Sequence, residues 1–245
     1  MKPFPYDIFK PTLIEELKDV FARFIEQDRD KRPYAFVLAA ASGAGPVEFF
    51  ALWAGGNTIA DFESPENTLG AGMNELADFR ERLGQDASTT LERAEELVSQ
   101  RGGHGYSFSD TDAEALDYKY MCVNWPCSPF TDDVLPRSNA IIRDYFQENA
   151  TKDRSEFVDD DYEFTEAYEQ LRAEFLDHLL GCMKELRAEK YFESVYPERI
   201  FINFEVWEHY SNEEMVRIFE ELNSKEEAKE FARWMLGDEP HETDA

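Results

Sequence analysis

The side chains best suited to nucleophilic or metal chemistry are three cysteines and four histidines: Cys122, Cys127, Cys182, His104, His178, His209 and His241. Cys122 and Cys127 have four residues between them, whereas zinc knuckles and redox motifs place two between their cysteines. No two histidines are spaced as i and i+4, the spacing of a helical metal site. We therefore expect no metal site and no cofactor. Cys127 is interpreted as an ordinary thiol, with a Cys–His nucleophile using His104 as the alternative.

A second set of chemically capable residues is Glu205, Glu208 and His209, which follow one another at the end of a predicted strand. Carboxylates beside an imidazole can serve as a general acid and base. The same residue types are also typical of a solvated strand end. We keep a hydrolytic or metal-assisted enzyme, using Cys127, Glu205, Glu208 or His209, as the alternative to a non-enzymatic protein.

The stretch Ser155–Leu171, SEFVDDDYEFTEAYEQL, combines acidic and aromatic side chains and contains no lysine or arginine. Aromatic side chains anchor protein interfaces, while carboxylates steer and pair with the Lys and Arg of a basic partner. This pattern predicts a binding site for a basic protein at Phe157, Asp159, Asp160, Asp161, Tyr162 and Glu163. In the alternative, Phe164 and Tyr168 pack inward at the start of a helix, and the acids stabilise its N-terminus.

The charge of the whole chain favours cationic partners. The 245 residues include 53 Asp and Glu against 25 Lys and Arg, a net charge of −28. Such a field repels nucleic acids and anionic membranes and speeds the encounter with cationic proteins. We expect no direct binding to nucleic acid or membrane. The other interpretation is that the acidity serves solubility or adaptation to salt.

The hydrophobic pattern predicts an α+β fold with a small central, largely antiparallel β-sheet flanked by several helices. Tyr34–Ala41 and Val47–Ala54 are two apolar runs that read as a hairpin joined by the turn Ser42–Pro46, and GGNT at residues 55–58 closes it after the second run. Ala115–Trp125 and Arg199–Trp207 are the third and fourth predicted strands.

The predicted helices are recognised by their caps and apolar stripes. The capping box Thr12 to Glu15 predicts the start of the first helix, and similar boxes begin at Ser211 and Ser224. Residues 135–148 and 165–190 have helical periodicity, the second with a stripe at Leu171, Phe175, Leu179, Cys182 and Leu186.

The domain organisation predicted from these elements is a single α+β domain over residues 1–245. A polar stretch at 149–161 is a possible weak boundary, and residues 237–245 form a short acidic tail that we expect to be frayed. The N-terminus has no apolar signal segment, and no run reaches the length of a membrane span, so we expect a cytoplasmic protein with free thiols.

Five stretches resemble an uncharacterised, mainly bacterial family, domain of unknown function 4303. The stretches are YAFVLAAA, VEFFALWAGGNT with Asn57-Thr58, YKYMCVNWPC, RSNAIIRDYF with Asn139, and RIFINFEVWEHYSNEEMVRIFEELN. The resemblance covers the chain from about Leu13 to Leu222. It supplies no catalytic residues, and it implies a possible role as an immunity protein of a bacterial toxin system.

Charge, the acidic segment and the resemblance together favour a non-enzymatic, cytoplasmic binding protein, an immunity-type inhibitor of a cationic toxin or nuclease. An enzyme and a scaffold domain whose acidity serves only solubility are the alternatives. The oligomeric state stays open.

Overall fold

The computed structural model describes residues 2–42, 50–64, 107–109, 113–120, 134–150, 157, 164–206 and 209–237. Over these residues the fold is α+β, as the sequence predicts. The strands are β1 (Pro33–Ser42), β2 (Phe50–Thr58) and β3 (Phe201–Val206). The helices are α1 (Tyr6–Asp28), α2 (Ile59–Phe62), α3 (Ala113–Tyr120), α4 (Pro136–Ala150), α5 (Glu166–Ala188), α6 (Tyr191–Val195), α7 (Asn212–Leu222) and α8 (Lys225–Leu236).

The three strands form a mixed sheet in the order β2-β1-β3. β1 and β3 are parallel, with a register that runs from Ala35 opposite Phe201 to Ala40 opposite Val206. The expectation of a largely antiparallel sheet is corrected here. A parallel pair needs a long crossover, and the helices between β1 and β3 supply it.

One face of the sheet packs against α1, α5 and α6. Phe36 of β1 lies edge-on to Phe21 of α1, with ring centroids 5.1 Å apart, and Phe21 in turn contacts Phe192 of α6 at 5.0 Å. The predicted stripe of α5 is buried as expected: Leu171, Phe175, Leu179, Cys182 and Leu186 all belong to this core. The hydrophobic effect of burying these side chains holds the two layers together.

The other face of β3 contacts α7, and α8 packs on α7 in turn. Phe201 points away from its neighbour Ile202, as alternate residues of a strand do, and its ring lies 5.7 Å from Phe219 of α7. Phe219 stacks on Phe231 of α8 at 4.1 Å. Both helices begin with the predicted capping boxes, in which Ser211 pairs with Glu214 and Ser224 with Glu227.

Asparagine side chains cover both edges of the sheet. Asn139 of α4 accepts a hydrogen bond from the Leu52 amide and donates one to the Leu52 carbonyl, both at 2.9 Å. Asn223 does the same at Ile202 of β3, with both distances 2.7 Å. An asparagine amide has the donor and acceptor of a peptide group, so each side chain stands in for one residue of a missing strand.

The first helix starts earlier than predicted. α1 begins at Tyr6, and Thr12 lies inside it, where its hydroxyl donates to the Ile8 carbonyl at 2.8 Å instead of capping the N-terminus. The rings of Phe4 and Phe9 are buried and hold the residues before Thr12 against the core. This packing explains why the helix starts before Thr12. Pro11 is accommodated near the start of the helix.

The third predicted strand is wrong where the structure describes it. Residues 113–120 are helical, and residues 121–125 lie outside the described residues. Its buried side chains Ala115, Leu116, Lys119 and Tyr120 recur with helical spacing, although the aromatic residues of the stretch favour a strand. β2 also continues through residues 55–58, which we predicted to form a turn.

The chain divides into two compact units. One comprises Met1–Gln27, Ala35–Gly55 and Pro129–Ala245, and the other comprises Asp28–Tyr34 and Gly56–Ser128. Within the second unit, the Tyr34 hydroxyl accepts from Asn57 and donates to the Lys119 carbonyl. The weak boundary at 149–161 and the single domain stay predictions. Among the described helices, none is both long and apolar enough to cross a lipid bilayer.

Candidate functional site

The C-terminal part of the acidic and aromatic stretch Ser155–Leu171 forms the first turns of α5. Thr165 caps the helix: its hydroxyl oxygen accepts from the Tyr168 amide at 3.2 Å. Glu166 and Glu169 lie in the first turn, where the positive end of the helix dipole favours carboxylates. Both side chains are exposed. The predicted start of this helix is therefore confirmed, and its acids face solvent.

The aromatic side chains of this segment have different environments. Phe157 is 1% exposed and packs against Phe146 and Tyr168, so it is a core residue and not the surface anchor that the sequence suggested. Tyr168 is also buried. Phe164 is 42% exposed. Asp159, Asp160, Asp161, Tyr162 and Glu163 lie outside the described residues, and their binding role stays a prediction.

The position of Phe164 before the helix explains its exposure. Phe164 directly precedes the N-cap Thr165, a place where an apolar residue often packs against another in the first helical turns. The residue available for that contact is Glu169, which is acidic. Phe164 instead packs against Tyr168, with ring centroids 5.0 Å apart, and much of its ring stays exposed to solvent.

Arg172 lies one turn further along α5. Its side chain is only 14% exposed, and its Nη1 atom is 3.7 Å from the Oε1 atom of Glu169. The Nε atom is buried and has no hydrogen-bond acceptor among the described residues. Buried guanidinium groups are normally well bonded, so this atom is an exception that calls for a physical account.

His209, one residue of the second predicted site, and its neighbour Tyr210 follow β3, and Arg172 acts electrostatically on both. Their rings are 4.6 Å apart, and Tyr210 lies 6.3 Å from Phe204 of β3. Burial lowers the pKa of His209, and the Arg172 guanidinium lowers it further, against the opposing effect of Glu169 and Glu214. His209 is therefore neutral at neutral pH.

Tyr210 is held in its protonated form by the same surroundings. Burial raises its pKa to about 12, and the carboxylates of Asp177 and Glu214 add to the effect. Glu214 itself is ionised, because the Ser211 amide donates to it at 2.9 Å and lowers its pKa. We call the set Phe164, Glu166, Glu169, Arg172, Asp177, His209, Tyr210 and Glu214 the α5–α7 surface.

Two of the four residues of the alternative enzymatic site, Glu205 and His209, are described, and the structure does not place them together. Glu205 is half-buried and lies opposite Ala39 in the parallel pair. It alternates with Phe204 along β3 and so points to the face opposite the one where Phe204 meets Tyr210. Cys127 and Glu208 lie outside the described residues.

Cys182 and His178 also carry potentially reactive groups, and packing accounts for both side chains. The Cys182 thiol is buried in the core, and burial raises its pKa to about 12, far from the range of a reactive thiolate. His178 stacks on Tyr6 with ring centroids 3.8 Å apart. Within the described part of the chain, no three His, Cys, Asp or Glu side chains are grouped so that they could hold a metal ion.

The lowered pKa of His209 gives a testable pH dependence. The unfolded imidazole takes up its proton near pH 6.5, whereas the folded one resists protonation until a lower pH. The contribution of neutral His209 to stability is therefore present above pH 6.5 and is lost as the pH falls from there through the lower pKa of the folded imidazole. We expect His209→Gln to flatten the loss of stability between about pH 7 and pH 5. Urea unfolding across this range tests it, and parallel curves for wild type and variant would contradict it.

Comparison with known proteins gives one match. The family model described as "Domain of unknown function (DUF4303)" matches residues 90–224. The matched region spans α3 to α7 and thus includes all eight residues of the α5–α7 surface and the edge residues Asn139 and Asn223. No curated protein and no solved structure matches the chain.

Proposed function

The chain belongs to the DUF4303 family, and from this premise we propose that it is a non-enzymatic binding protein whose α5–α7 surface docks a cationic protein. The observation that carries the proposal is the exposed ring of Phe164. It is 42% exposed beside the exposed carboxylates of Glu166 and Glu169. An aromatic ring within an acidic surface provides an anchor for burial together with charges that steer a basic partner.

The electrostatics of the surface support a cationic partner over an anionic one. Glu166, Glu169, Asp177 and Glu214 contribute four carboxylates, against the guanidinium groups of Arg172 and of Arg217, which acts on Glu214. The net charge of −28 adds a long-range attraction for the same class of partner. We propose an immunity-type role, in which binding blocks a cationic toxin or nuclease, because the active cleft of a nuclease is basic.

The test compares two exposed apolar side chains. Phe164 and Ile8 are large, exposed and apolar, and Ile8, on α1, is the more exposed of the two at 58%. Basic proteins captured from the native lysate at low salt are purified and titrated against wild type, Phe164→Ser and Ile8→Ser. We expect Phe164→Ser to weaken binding about tenfold, the cost of a lost aromatic anchor, and Ile8→Ser to leave binding unchanged.

The role of the Glu166 and Glu169 carboxylates is tested by measuring how partner binding depends on salt concentration. The double variant Glu166→Gln, Glu169→Gln should bind more weakly at low salt and depend less on salt, because screening acts on the charges that it removes. A captured toxin or nuclease should lose its activity at a one-to-one ratio with the wild-type protein. Equal binding by Phe164→Ser and Ile8→Ser, or binding insensitive to salt, would instead support acidity that serves solubility alone.

A further inference from the structure

The under-bonded guanidinium of Arg172 is the feature of the α5–α7 surface that the charge argument leaves unexplained. Its Nε atom is buried without an acceptor in the described part of the chain. Its contact with Glu169 is 3.7 Å long, and Glu169 is 46% exposed. A loose, half-exposed ion pair of this kind contributes little to stability. The guanidinium can therefore turn toward a partner without losing a hydrogen bond at Nε, and it gains one if the partner supplies an acceptor.

The charges around Arg172 decide which kind of acceptor is suitable. Glu169 and Glu214 act on His209, and Asp177 and Glu214 act on Tyr210, together with Arg172 in both cases. Three carboxylates thus share this place with Arg172, and the guanidinium of Arg217 also acts on Glu214. Both rings are uncharged at neutral pH. An incoming carboxylate or phosphate is repelled by these neighbours. A neutral carbonyl accepts the hydrogen bond without that repulsion.

Arg172 is also within reach of a segment that covers Phe164. Phe164 contacts Tyr168, and Tyr168 and Arg172 are spaced as i and i+4, so they lie on the same side of α5 one turn apart. One helical turn is about 5.4 Å, which an extended chain spans with about two residues.

We propose that Arg172 recognises a main-chain carbonyl of an extended cationic segment of the partner, so that the α5–α7 surface selects polypeptides over simple polycations. This inference rests on the proposed function, because the segment is the part of the partner that covers Phe164. Arg172 is then a specificity-determining residue, while the surrounding carboxylates supply attraction that any cation shares.

The experiment uses two cationic probes that differ in carbonyl groups: a capped hexalysine peptide, and spermine, which has none. We expect Arg172→Met to weaken hexalysine binding about tenfold and to leave spermine binding unchanged, as measured by calorimetry at low salt. Arg172→Lys should recover part of the loss, since an ammonium also donates. Arg187→Met is the matched control, because Arg187 lies on the same helix and pairs with Glu193 at 3.0 Å, and it should bind both probes as wild type does.

A second measurement keeps the test valid if Arg172→Met fails to fold. The Nε–H resonance of Arg172 in wild-type protein, assigned by its loss in Arg172→Lys, should shift on addition of hexalysine and stay in place with spermine. If hexalysine binds but neither the resonance nor the Arg172 variants respond, the role of Arg172 is overturned while the proposed function stands on the Phe164 result. If neither probe binds at low salt, both proposals fail.

Discussion

Replacing Glu16 by Ala should lower the free energy of unfolding by about 3 kcal/mol, because it removes the N-terminal cap of α4 from inside the protein. Glu16 belongs to α1, yet its carboxylate accepts from the amides of Arg137 and Ser138, at 2.8 and 2.9 Å, and from the Ser138 hydroxyl at 2.6 Å. The residue is 5% exposed. Without the carboxylate, two amide donors at the start of α4 lose their acceptor in a place that water reaches poorly.

Glu15 offers a matched control for this prediction. Its side chain is 67% exposed and contacts only the Nη1 atom of Arg137, at 3.1 Å, among the contacts that the structure gives it. We expect Glu15→Ala to change the free energy of unfolding by less than about 0.5 kcal/mol. Glu16→Gln should fall between the two, because one of its two terminal atoms still accepts. Urea unfolding of the three variants tests the ranking, and equal losses for Glu15→Ala and Glu16→Ala would refute the buried cap.

Replacing Asn139 by Asp should cost about 3 kcal/mol at neutral pH, although the two side chains have nearly the same shape. Asn139 is 8% exposed and pairs with both the amide and the carbonyl of Leu52. A carboxylate there keeps the acceptor, loses the donor, and places a negative charge against the Leu52 carbonyl oxygen. Because a protonated carboxyl can donate again, the loss should shrink as the pH falls through the range in which the new group titrates.

Gln147 provides the control on the same helix. It is exposed, and Gln147→Glu makes the same change from amide to carboxylate. We expect this variant to stay within about 0.5 kcal/mol of wild type. Denaturant unfolding of both variants at neutral and acid pH separates the effect of the sheet edge from that of added charge. A penalty for Asn139→Asp that equals that of Gln147→Glu would show that Asn139 does not hold the edge.

The residues that carried the family resemblance have structural partners in this protein. Asn57 donates to Tyr34 and accepts from the Thr58 amide, and Thr58 caps α2 by accepting from the Asp61 amide. Asn139 closes the β2 edge. A sequence motif of polar residues in an apolar setting can thus arise from the need to bond buried backbone groups, without any chemistry on a substrate.

Three predictions about the elements and their arrangement were wrong. Residues 115–120 were expected to be a strand, the first helix was expected to start at Thr12, and β1 and β3 were expected to sit in a largely antiparallel sheet. For the first helix, packing outweighed the local signal, because the buried side chains of Phe4 and Phe9 gain more from the core than a cap provides. The parallel pairing of β1 with β3 joins residues far apart in the chain, which no local signal specifies.

The sequence by itself determined the features that depend on neighbouring residues. The caps Ser211 and Ser224 and the apolar stripe of α5 were readable because their partners are three or four residues away. The net charge, and with it the class of partner we propose, is also a property of composition alone.

Only the tertiary structure decided which distant residues meet. It buried Phe157 and left Phe164 in solvent, although both lie in one acidic segment. It brought His209, from the end of β3, close enough to Arg172 and Glu169 of α5 for their charges to act on it. It also placed Glu16 under α4 and Asn139 on β2. These outcomes depend on how the helices pack on the sheet, and contacts between residues far apart in the chain leave no periodic signal in it.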